Sequence, residues 1–513
     1  MTMVDDESSV RNVDCGMSCG ALLADAGVGG STVTDARLLE SPVTGVHFDS
    51  RDVTPGGVFV AVPGRRFDGA DFVDDAVERG AALVVAEVEP PAAAPLPWVR
   101  VPDARAALSA LAAAFHGDPS RDLQVVGVTG TNGKTTTTWL LESIFAHAGM
   151  ATGRISSISN RIGRDDAERP AVHTTPEAPQ VQALLAAMRD RGARVCVMEV
   201  SSHAAVLRRV EHVRFAAAVF TNLTRDHLDF HGDMEGYFAA KRRLFDLLPD
   251  GAPAVVNLDD PRGARLAGQV SRPVTYALER TADCMPVRLE LRADGTVIEA
   301  RTPRGSLLLE SRLPGRAVAY DVLAAAAAGV ALDLPFAGIA AGVRALTVVP
   351  GRMQTVSSED DDVTVIVDSA HTDDALRGLL ETVRQFAGRR IVTVFGCGGD
   401  RDATKRPLMG VVATRLSDAV ILTSDNPRSE DPQAIIDDIE RGLGRSDTPH
   451  LAIVERAAAI RRAIDDAGAG DVVVIAGKGH ERYQVIGSRA VPFDDVVVAR
   501  AALDARGGRP SVG

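Results

Sequence analysis

The sequence predicts an α/β protein built on parallel sheets, and three observations carry that expectation. Leu123 to Val128 is a short apolar run. The stretch "GVTGTNGKTTTTWLLESIF" begins at Gly127, and its apolar positions Leu140, Leu141, Ile144 and Phe145 have the spacing of one helix face. In the last third, "VTVIVD", "IVTVFG", "AVILTS" and "VVVIAG" alternate with helix-length polar or amphipathic stretches, the pattern of a parallel sheet with helices on its faces. A chain of 513 residues calls for two to four domains.

Shifts in composition divide the chain into three segments. Residues 1–102 open with an acidic stretch and continue into "VHFDSRDVTPGGVFVAVPG", short strands split by Pro-Gly-Gly. Pro-rich "PPAAAPLP" at 90–97 approaches the first boundary. Residues 103–347 contain the Gly-rich loop, several strand–helix alternations, a β-rich stretch at 286–312 and an Ala-rich segment at 322–332 whose helix is expected to pack closely on a neighbour. "VVPGRM" at 348–353 opens the last segment, 348–513, and no repeat of fixed period is present.

Composition narrows the function classes. A formal charge of −13 argues against broad nucleic-acid or anionic-membrane binding but leaves room for a local cationic pocket. Hydrophobic residues are 45% and aromatics 4%, so the cores rest on Val, Leu, Ile and Ala. The longest uncharged apolar run, Val322 to Leu332, falls far short of the roughly 20 residues of a membrane helix. The N-terminus lacks the apolar stretch of a signal peptide. Five cysteines in so long a chain make no disulfide framework, and Cys15 and Cys19 have neither a second pair nor nearby histidines for zinc. The cytoplasm is the expected compartment.

A Gly-rich turn that opens a helix presents free N–H groups and the positive end of the helix dipole, a place for phosphate. The match to G-x-x-x-x-G-K-[ST] is imperfect: the first glycine falls one residue early, at Gly127, and Val128 takes its place. Gly130, Gly133, Lys134 and Thr135 still supply a turn, a cation and a hydroxyl for Mg²⁺. Such a loop alone also fits any α/β domain; the four threonines, poor helix formers, favour a nucleotide. Glu199 ends the strand-like "ARVCVMEVSSH", where a carboxylate suits Mg²⁺. "FTNLTRDHLDFHGDMEGYFAAKRRLF" gathers Asp226, His227, Asp229, His231 and Lys241. Taken singly, each histidine is more often a surface or hydrogen-bonded residue than a ligand. The four apolar runs of the last third lead into "SAHTDD", "CGGDRD", "DNPRSED" and "KGHERY", which should share one rim, since ligands of open α/β sheets bind at the carboxyl ends of the strands.

Together, "GTNGKTTT", "HTTPE", "MEVSSH", "FTNLTRDHLDFHG" with "AAKRRLF", "FGCGGDRD", "TSDNPRSEDP" and "AGKGHERYQ" resemble the Mur ligases, in order from about residue 43 to 500. Among these, the chain is similar to members that add the third residue of the peptidoglycan stem peptide. The resemblance implies a UDP-muramoyl-substrate-binding domain at 1–102, a central P-loop ATPase-like parallel sheet at 103–347, and a Rossmann-like amino-acid-binding domain at 348–513. It implies ATP and Mg²⁺, with an acyl phosphate formed on a substrate carboxylate and attacked by an amine. Lys134 with Gly130, Thr131, Asn132, Gly133, Thr135 and Thr136 would hold the ATP phosphates, and Arg352 and Asp368 would also serve the nucleotide. Thr135 and Glu199 would hold one Mg²⁺, and Glu199 with His227 the second. Lys241 matches the lysine that becomes a carbamate ligand; its alternative is a solvated helix lysine.

The resemblance also assigns the substrates, a UDP-N-acetylmuramoyl dipeptide and meso-diaminopimelate. Ser50 in "FDSR" falls on the uridine-nucleotide side; Thr174, Thr175, Ser202 and Arg209 fall on the muramoyl-peptide side. Arg401, Asp425, Asn426, Arg428, Gly477 and Glu481 fall on the amino-acid side. Arg428 would select diaminopimelate over lysine through the extra carboxylate; the alternative is a surface pair with Glu430 or Asp431. A monomer is expected, with no nucleic acid and no membrane insertion. Departures from the family pattern are Ala317, Val318 and Asp321 where G-x-[FY]-N-V-x-N has an aromatic and two asparagines, Ser369 and Asp373 in "DSAHTDD", and "SS" at 156–157 for Gly-Thr. They keep two other readings open: a paralogue serving a specialised pathway, and a weakly catalytic relative that binds nucleotide substrates for regulation.

Overall fold

The computed structural model describes residues 16–29, 39–64, 67–92, 94, 96–163, 168–444 and 446–507. Cys15 and the acidic N-terminal stretch lie outside them. The contacts form two compact units, each assembled from non-contiguous stretches. The first takes the residues up to 129 with 150–218 and 240–252; the second takes 130–149, 219–239 and 253 onward. Among the described residues no helix is long and apolar enough to cross a membrane.

In the first unit, β1 (Gly45–His47), β2 (Gly57–Ala61), β3 (Leu83–Ala86) and β4 (Trp98–Arg100) pair in parallel and in sequence order. The Pro-Gly-Gly turn fixes where β2 starts, since Gly56 takes φ +85°, a conformation that side chains resist. One face of this sheet, with Val46, Val58, Val60, Leu83 and Val85, closes on helix Ala104–Phe115 through Leu108, Leu111 and Phe115. Asp103 caps that helix, accepting from Ala106 N at 2.9 Å.

A second sheet of this unit holds β5 (Gln124–Thr129), β6 (Thr152–Ile155), β7 (Ser159–Arg161), β8 (Arg169–Pro170), β9 (Val195–Glu199) and β10 (Phe215–Phe220), in the order β10–β5–β9–β6–β7–β8. β9 runs parallel to β5 and β6. The glycine that falls one residue early is explained here: a Cβ on Gly127 would stand 2.9 Å from the side chains of Leu244 and Phe215. Gly127 is a packing residue within β5.

In the second unit, helix Lys134–His147 starts directly after Gly133, whose φ of +84° makes the turn. β11 (Ala254–Asn257) and β12 (Pro273–Tyr276) pair in parallel. The β-rich stretch forms an antiparallel meander of β13 (Met285–Arg292), β14 (Gly295–Thr302) and β15 (Gly305–Ser311). The Ala-rich helix extends back to Arg316, because Gly315 at φ +105° marks its start and the turn carrying Tyr320 and Asp321 belongs to it. Close packing is what its small residues permit. In the neighbouring helix Phe336–Ala345, a Cβ on Gly342 would lie 2.4 Å from Ile144 Cα, and Ser143 Oγ donates to Gly342 O at 2.7 Å.

The last third follows the expected alternation. Its sheet contains β16 (Gln354–Thr355), β17 (Thr364–Asp368), β18 (Ile391–Phe395), β19 (Ala419–Leu422), β20 (His450–Ala452) and β21 (Val472–Ala476), ordered β16–β17–β21–β18–β19–β20. All pairs are parallel except β16 with β17. β16 and β20 are short edge strands without an apolar run. The four inner strands are predominantly apolar because both faces are covered. Ile366, Phe395, Leu422 and Val474 pack on helices Asp373–Phe386, Lys405–Leu416 and Pro432–Leu443; Val365, Val394, Ile421 and Val473 pack on Arg456–Asp466 and Asp495–Gly507. A hairpin, β22 (Tyr483–Ile486) with β23 (Arg489–Pro492), follows β21.

Candidate functional site

The second unit carries the phosphate loop. Asn132 is held at both backbone groups: its N–H donates to Asn222 Oδ1 at 2.9 Å, and its carbonyl accepts from Thr221 Oγ1 at 2.6 Å. Thr131 Oγ1 donates to Thr224 O at 3.1 Å. Lys134 Nζ donates to the carbonyls of Gly130 and Thr131 at 3.0 and 2.8 Å, so the cation is folded over the loop. Gly133 has no room for a side chain, since a Cβ there would come within 2.2 Å of Asp321 Oδ1.

Asp321 is buried, and Thr137 Oγ1 donates to its Oδ1 at 3.3 Å. Burial pushes this carboxyl well above the usual range, against the pull of Thr137, Thr136 and the Arg352 charge. A protonated carboxyl offers a donor beside an acceptor, as an asparagine amide does, with one donor hydrogen fewer. Arg352 donates to Thr135 Oγ1 at 3.1 Å. Asp368, raised by burial despite Arg352, accepts from Met353 N at 2.7 Å and Ala370 N at 2.8 Å, which bends the chain after β17. Thr136 is buried in the first turn of the helix.

The loop 221–239 meets the last third at Asp226. His227 Nε2 stands 3.3 Å from this carboxylate, His371 Nε2 3.7 Å and Lys405 Nζ 3.9 Å. Burial alone would raise Asp226, but the bond to His371 and the charges of His371, His227 and Lys405 outweigh it and hold the group ionised. His227 itself takes φ +54°, a conformation L residues rarely adopt.

At the carboxyl ends of β18, β19 and β21 a polar rim forms. Arg428, at φ +52°, donates through Nη1 to Gly399 O at 2.7 Å, and its N–H donates to Val485 O at 3.0 Å. Burial and the charge of Arg401 both disfavour its cation, so an incoming carboxylate would relieve that strain. Glu430 pairs with Arg406 instead, and Asp431 caps the following helix; neither holds Arg428 on the surface. Asp425 and Asn426 are buried, and a Cβ on Gly477 would lie 2.6 Å from Asp425 Oδ2. Asn426 Nδ2 donates to Glu481 Oε2 at 2.8 Å. Behind the rim, Arg456 and Asp495 form a fully buried ion pair at 2.8 Å, and Arg456 Nη2 donates to Ala476 O at 3.0 Å.

The first unit gathers another group. Glu199 Oε1 accepts from Ser157 N at 2.8 Å and Ser157 Oγ at 3.2 Å, so Ser157 keeps a hydroxyl where the family has threonine. Thr175 Oγ1 donates to Glu199 O at 2.8 Å. Arg209 donates to Thr175 O at 2.8 Å and pairs with Glu177 at 2.5 Å. Ser202 is buried at the start of the helix capped by Ser201, and Thr174 is half-buried. Lys241 is 2% exposed, not a solvated helix lysine. Ser50 is buried in the separate N-terminal sheet region, in the 3₁₀ turn Ser50–Asp52.

These donors suit the implied groups. Mg²⁺ takes oxygen ligands, usually one or two carboxylates with phosphate oxygens and water. Of the groups the resemblance implies, the Glu199 carboxylate and a carbamate on Lys241 in the first unit, and the Thr135 hydroxyl in the second, are each oxygen donors of that kind. Among the described residues no three His, Cys, Asp or Glu side chains form a metal cage of another kind.

Three family models match in succession: the Mur ligase family catalytic domain at 42–116, the Mur ligase middle domain at 128–329, and the Mur ligase glutamate ligase domain at 351–479. A UDP-N-acetylmuramoyl-L-alanyl-D-glutamate–2,6-diaminopimelate ligase from Geobacillus thermodenitrificans is 46% identical over 471 residues, spanning 90% of this chain and 95% of the relative. The chain belongs to the Mur ligase family. A ligase of the same name from Gloeobacter violaceus is 47% identical over 480 residues, 93% of this Mur ligase and 97% of the relative. A solved ligase of that name superposes with a TM-score of 0.63 at 34% identity, covering 91% of this chain and 96% of its own. The MurF ligase of Thermotoga maritima, solved with ADP, shares the fold at 20% identity and a TM-score of 0.65, covering 90% and 98%.

Sequence reasoning left out several residues that this Mur ligase places against the groups described above. Lys478, within "GKGHE", is buried against Asn426 and Glu481; a lysine directly after an apolar strand was its signal. Asp374 accepts from Asn132 Nδ2 at 3.2 Å. Arg456 carries no signal in sequence, since only burial distinguishes it from the exposed arginines of the same helix.

Proposed function

We propose that this Mur ligase joins meso-diaminopimelate to UDP-N-acetylmuramoyl-L-alanyl-D-glutamate, with ATP converted to ADP and phosphate, in the cytoplasmic stage of peptidoglycan synthesis. The observation that carries the reading is Arg428: a half-buried guanidinium beside a second cation, at the strand ends where Asp425 and Glu481 supply acidic groups. A planar fork of donors matches the carboxylate that distinguishes diaminopimelate from lysine. The names of the relatives support the same substrates.

The three-part division into residues 1–102, 103–347 and 348–513 assigns the uridine nucleotide, with Ser50, to the first part. Thr174, Thr175, Ser202 and Arg209 receive the muramoyl dipeptide. A carboxylate oxygen of the dipeptide attacks the terminal phosphorus of ATP, the bond to ADP breaks, and an acyl phosphate results. The amine nitrogen of diaminopimelate then attacks the acyl carbon; the C–N bond forms, the C–O bond to phosphate breaks, and the amine loses its proton. Lys134 and the loop amides of 130–136 orient the phosphates, with Arg352 and Asp368 on the nucleotide. Such chemistry depends on positioning and charge stabilisation. Bound Mg²⁺, held by Thr135, Glu199, His227 and carbamylated Lys241, would neutralise phosphate oxygens. Arg401, Asp425, Asn426, Arg428, Gly477 and Glu481 position the amino acid.

The test is phosphate release from ATP with each substrate omitted in turn. Release should require both the UDP-muramoyl dipeptide and diaminopimelate. Release with L-lysine in preference to diaminopimelate, or with neither dipeptide nor amino acid, would overturn the reading.

A further inference from the structure

We propose that Lys478 is a positioning residue for the incoming amino acid, acting by pinning Glu481 and Asn426 into the arrangement that receives the substrate's ammonium. The inference rests on the amino-acid site described above and adds a residue to it.

Lys478 follows β21 and is 1% exposed, although it carries a charged group. A buried ammonium persists only where partners satisfy it. Its Nζ donates to Glu481 Oε2 at 2.8 Å and to Asn426 Oδ1 at 3.0 Å. Asn426 Nδ2 donates to that same Oε2 at 2.8 Å, and Val485 N donates to Asn426 Oδ1 at 2.9 Å. The ring of Tyr483 lies 6.0 Å from the ammonium. These contacts close a triangle among the ends of β19 and β21 and the segment entering β22.

The triangle has a chemical consequence. Glu481 Oε2 and Asn426 Oδ1 each accept from two donors, while among the described residues no donor reaches Glu481 Oε1. Glu481 is the half-exposed member, so Oε1 is the acceptor an entering ammonium meets. Lys478 itself is sealed beneath and has no open approach to substrate. Its effect on the amino acid therefore passes through Glu481, whose rotamer it fixes, and through the charge it offsets there. Without Lys478, Glu481 is held by Asn426 alone and the acceptor loses its fixed direction. Preorganised acceptors bind better than mobile ones because the ordering cost is met before binding.

The experiment is a double-mutant cycle on the full chain with Lys478→Met and Glu481→Gln, reading steady-state parameters for all three substrates. Lys478→Met should raise KM for diaminopimelate about ten- to hundredfold, with KM for ATP and for the UDP-muramoyl dipeptide within about twofold of the unmodified protein. Lys478→Met in the Glu481→Gln background should add little, since residues acting through one another are not additive. A general structural defect would shift all three KM values and kcat together, and that result overturns the proposal. So does an unchanged KM for diaminopimelate, or full additivity of the two substitutions. If Lys478→Met does not fold, Lys478→Gln carries the same comparison. Failure of the unmodified protein to use diaminopimelate defeats the substrate reading, and the proposal with it; an active protein whose Lys478 variants keep a normal KM defeats the proposal alone.

Discussion

Thr137 donates its hydroxyl to Asp321 across 3.3 Å, and Gly133 of the phosphate loop has its backbone against the same carboxyl. An ionised carboxylate there would repel nucleotide phosphates. Burial instead favours its protonated form. The folded chain thus holds a proton that the unfolded chain has lost between the ordinary carboxylate range and the raised value, so stability falls as pH rises through that window. Asp321→Asn should raise the melting temperature more at about pH 8 than at about pH 5. An equal shift at both would mean that Asp321 is ionised in the folded state.

The same position bears on nucleotide affinity. Val318 offers neither donor nor acceptor, and an added hydrogen bond contributes ~0.5–1.5 kcal/mol net. Val318→Asn with Asp321→Asn should lower KM for ATP by roughly two- to tenfold per position if recognition there has been eroded. Unchanged KM would show that protonated Asp321 already does the work of an amide.

Arg428→Ala should cost about ten- to ten-thousandfold in kcat/KM for diaminopimelate, because a bond to a charged group is worth ~1.5–3 kcal/mol and a bidentate contact can double it. Parallel assays with L-lysine on both proteins check the assignment. A preference unchanged by the substitution would remove Arg428 from amino-acid selection.

Lys241 is buried, and its carbamate would supply an oxygen ligand to Mg²⁺. Lys241→Ala should abolish most turnover, with partial recovery on adding short carboxylates. Full activity in the variant would rule out the carbamate.

Arg456 and Asp495 are both completely buried and bonded to each other twice. Arg456→Met leaves an unpaired carboxylate inside and should destabilise by about 3–5 kcal/mol in denaturant melts. Arg456→Met with Asp495→Leu should recover most of that loss, since a hydrophobic pair of similar volume is often no less stable. Equal destabilisation by the single and double variants would show that the carbonyls held by Arg456, not the pairing, set its contribution.

How much of this was legible depended on whether a residue's neighbours were local. The loop at 130–136, the inner strands β17, β18, β19 and β21, and the gathering of polar groups at their ends all follow from short-range pattern. Gly127 was readable only as an imperfect motif, because its reason is the Phe215 ring and the Leu244 side chain, far along the chain. Asp321 stood out in sequence as a missing asparagine, yet its protonation depends on burial that no local pattern records. A surface pair of Arg428 with Glu430 or Asp431 was the alternative to a substrate contact; in the structure Arg406 takes Glu430, and the turn at φ +52° carries Arg428 to Gly399 O. Lys478 has a local signal in its place just past an apolar strand, but its enclosure depends on Asn426, which is distant in sequence.

Helix Lys134–His147 packs against helices that begin at Arg316 and Phe336, and Ser143 meets Gly342 across a separation of 199 residues. During synthesis the phosphate loop therefore leaves the ribosome long before the segments that close over its helix. A nascent chain halted before about residue 345 would carry the loop without its supporting partners. Nucleotide capture should accordingly be a late event in the chain's maturation.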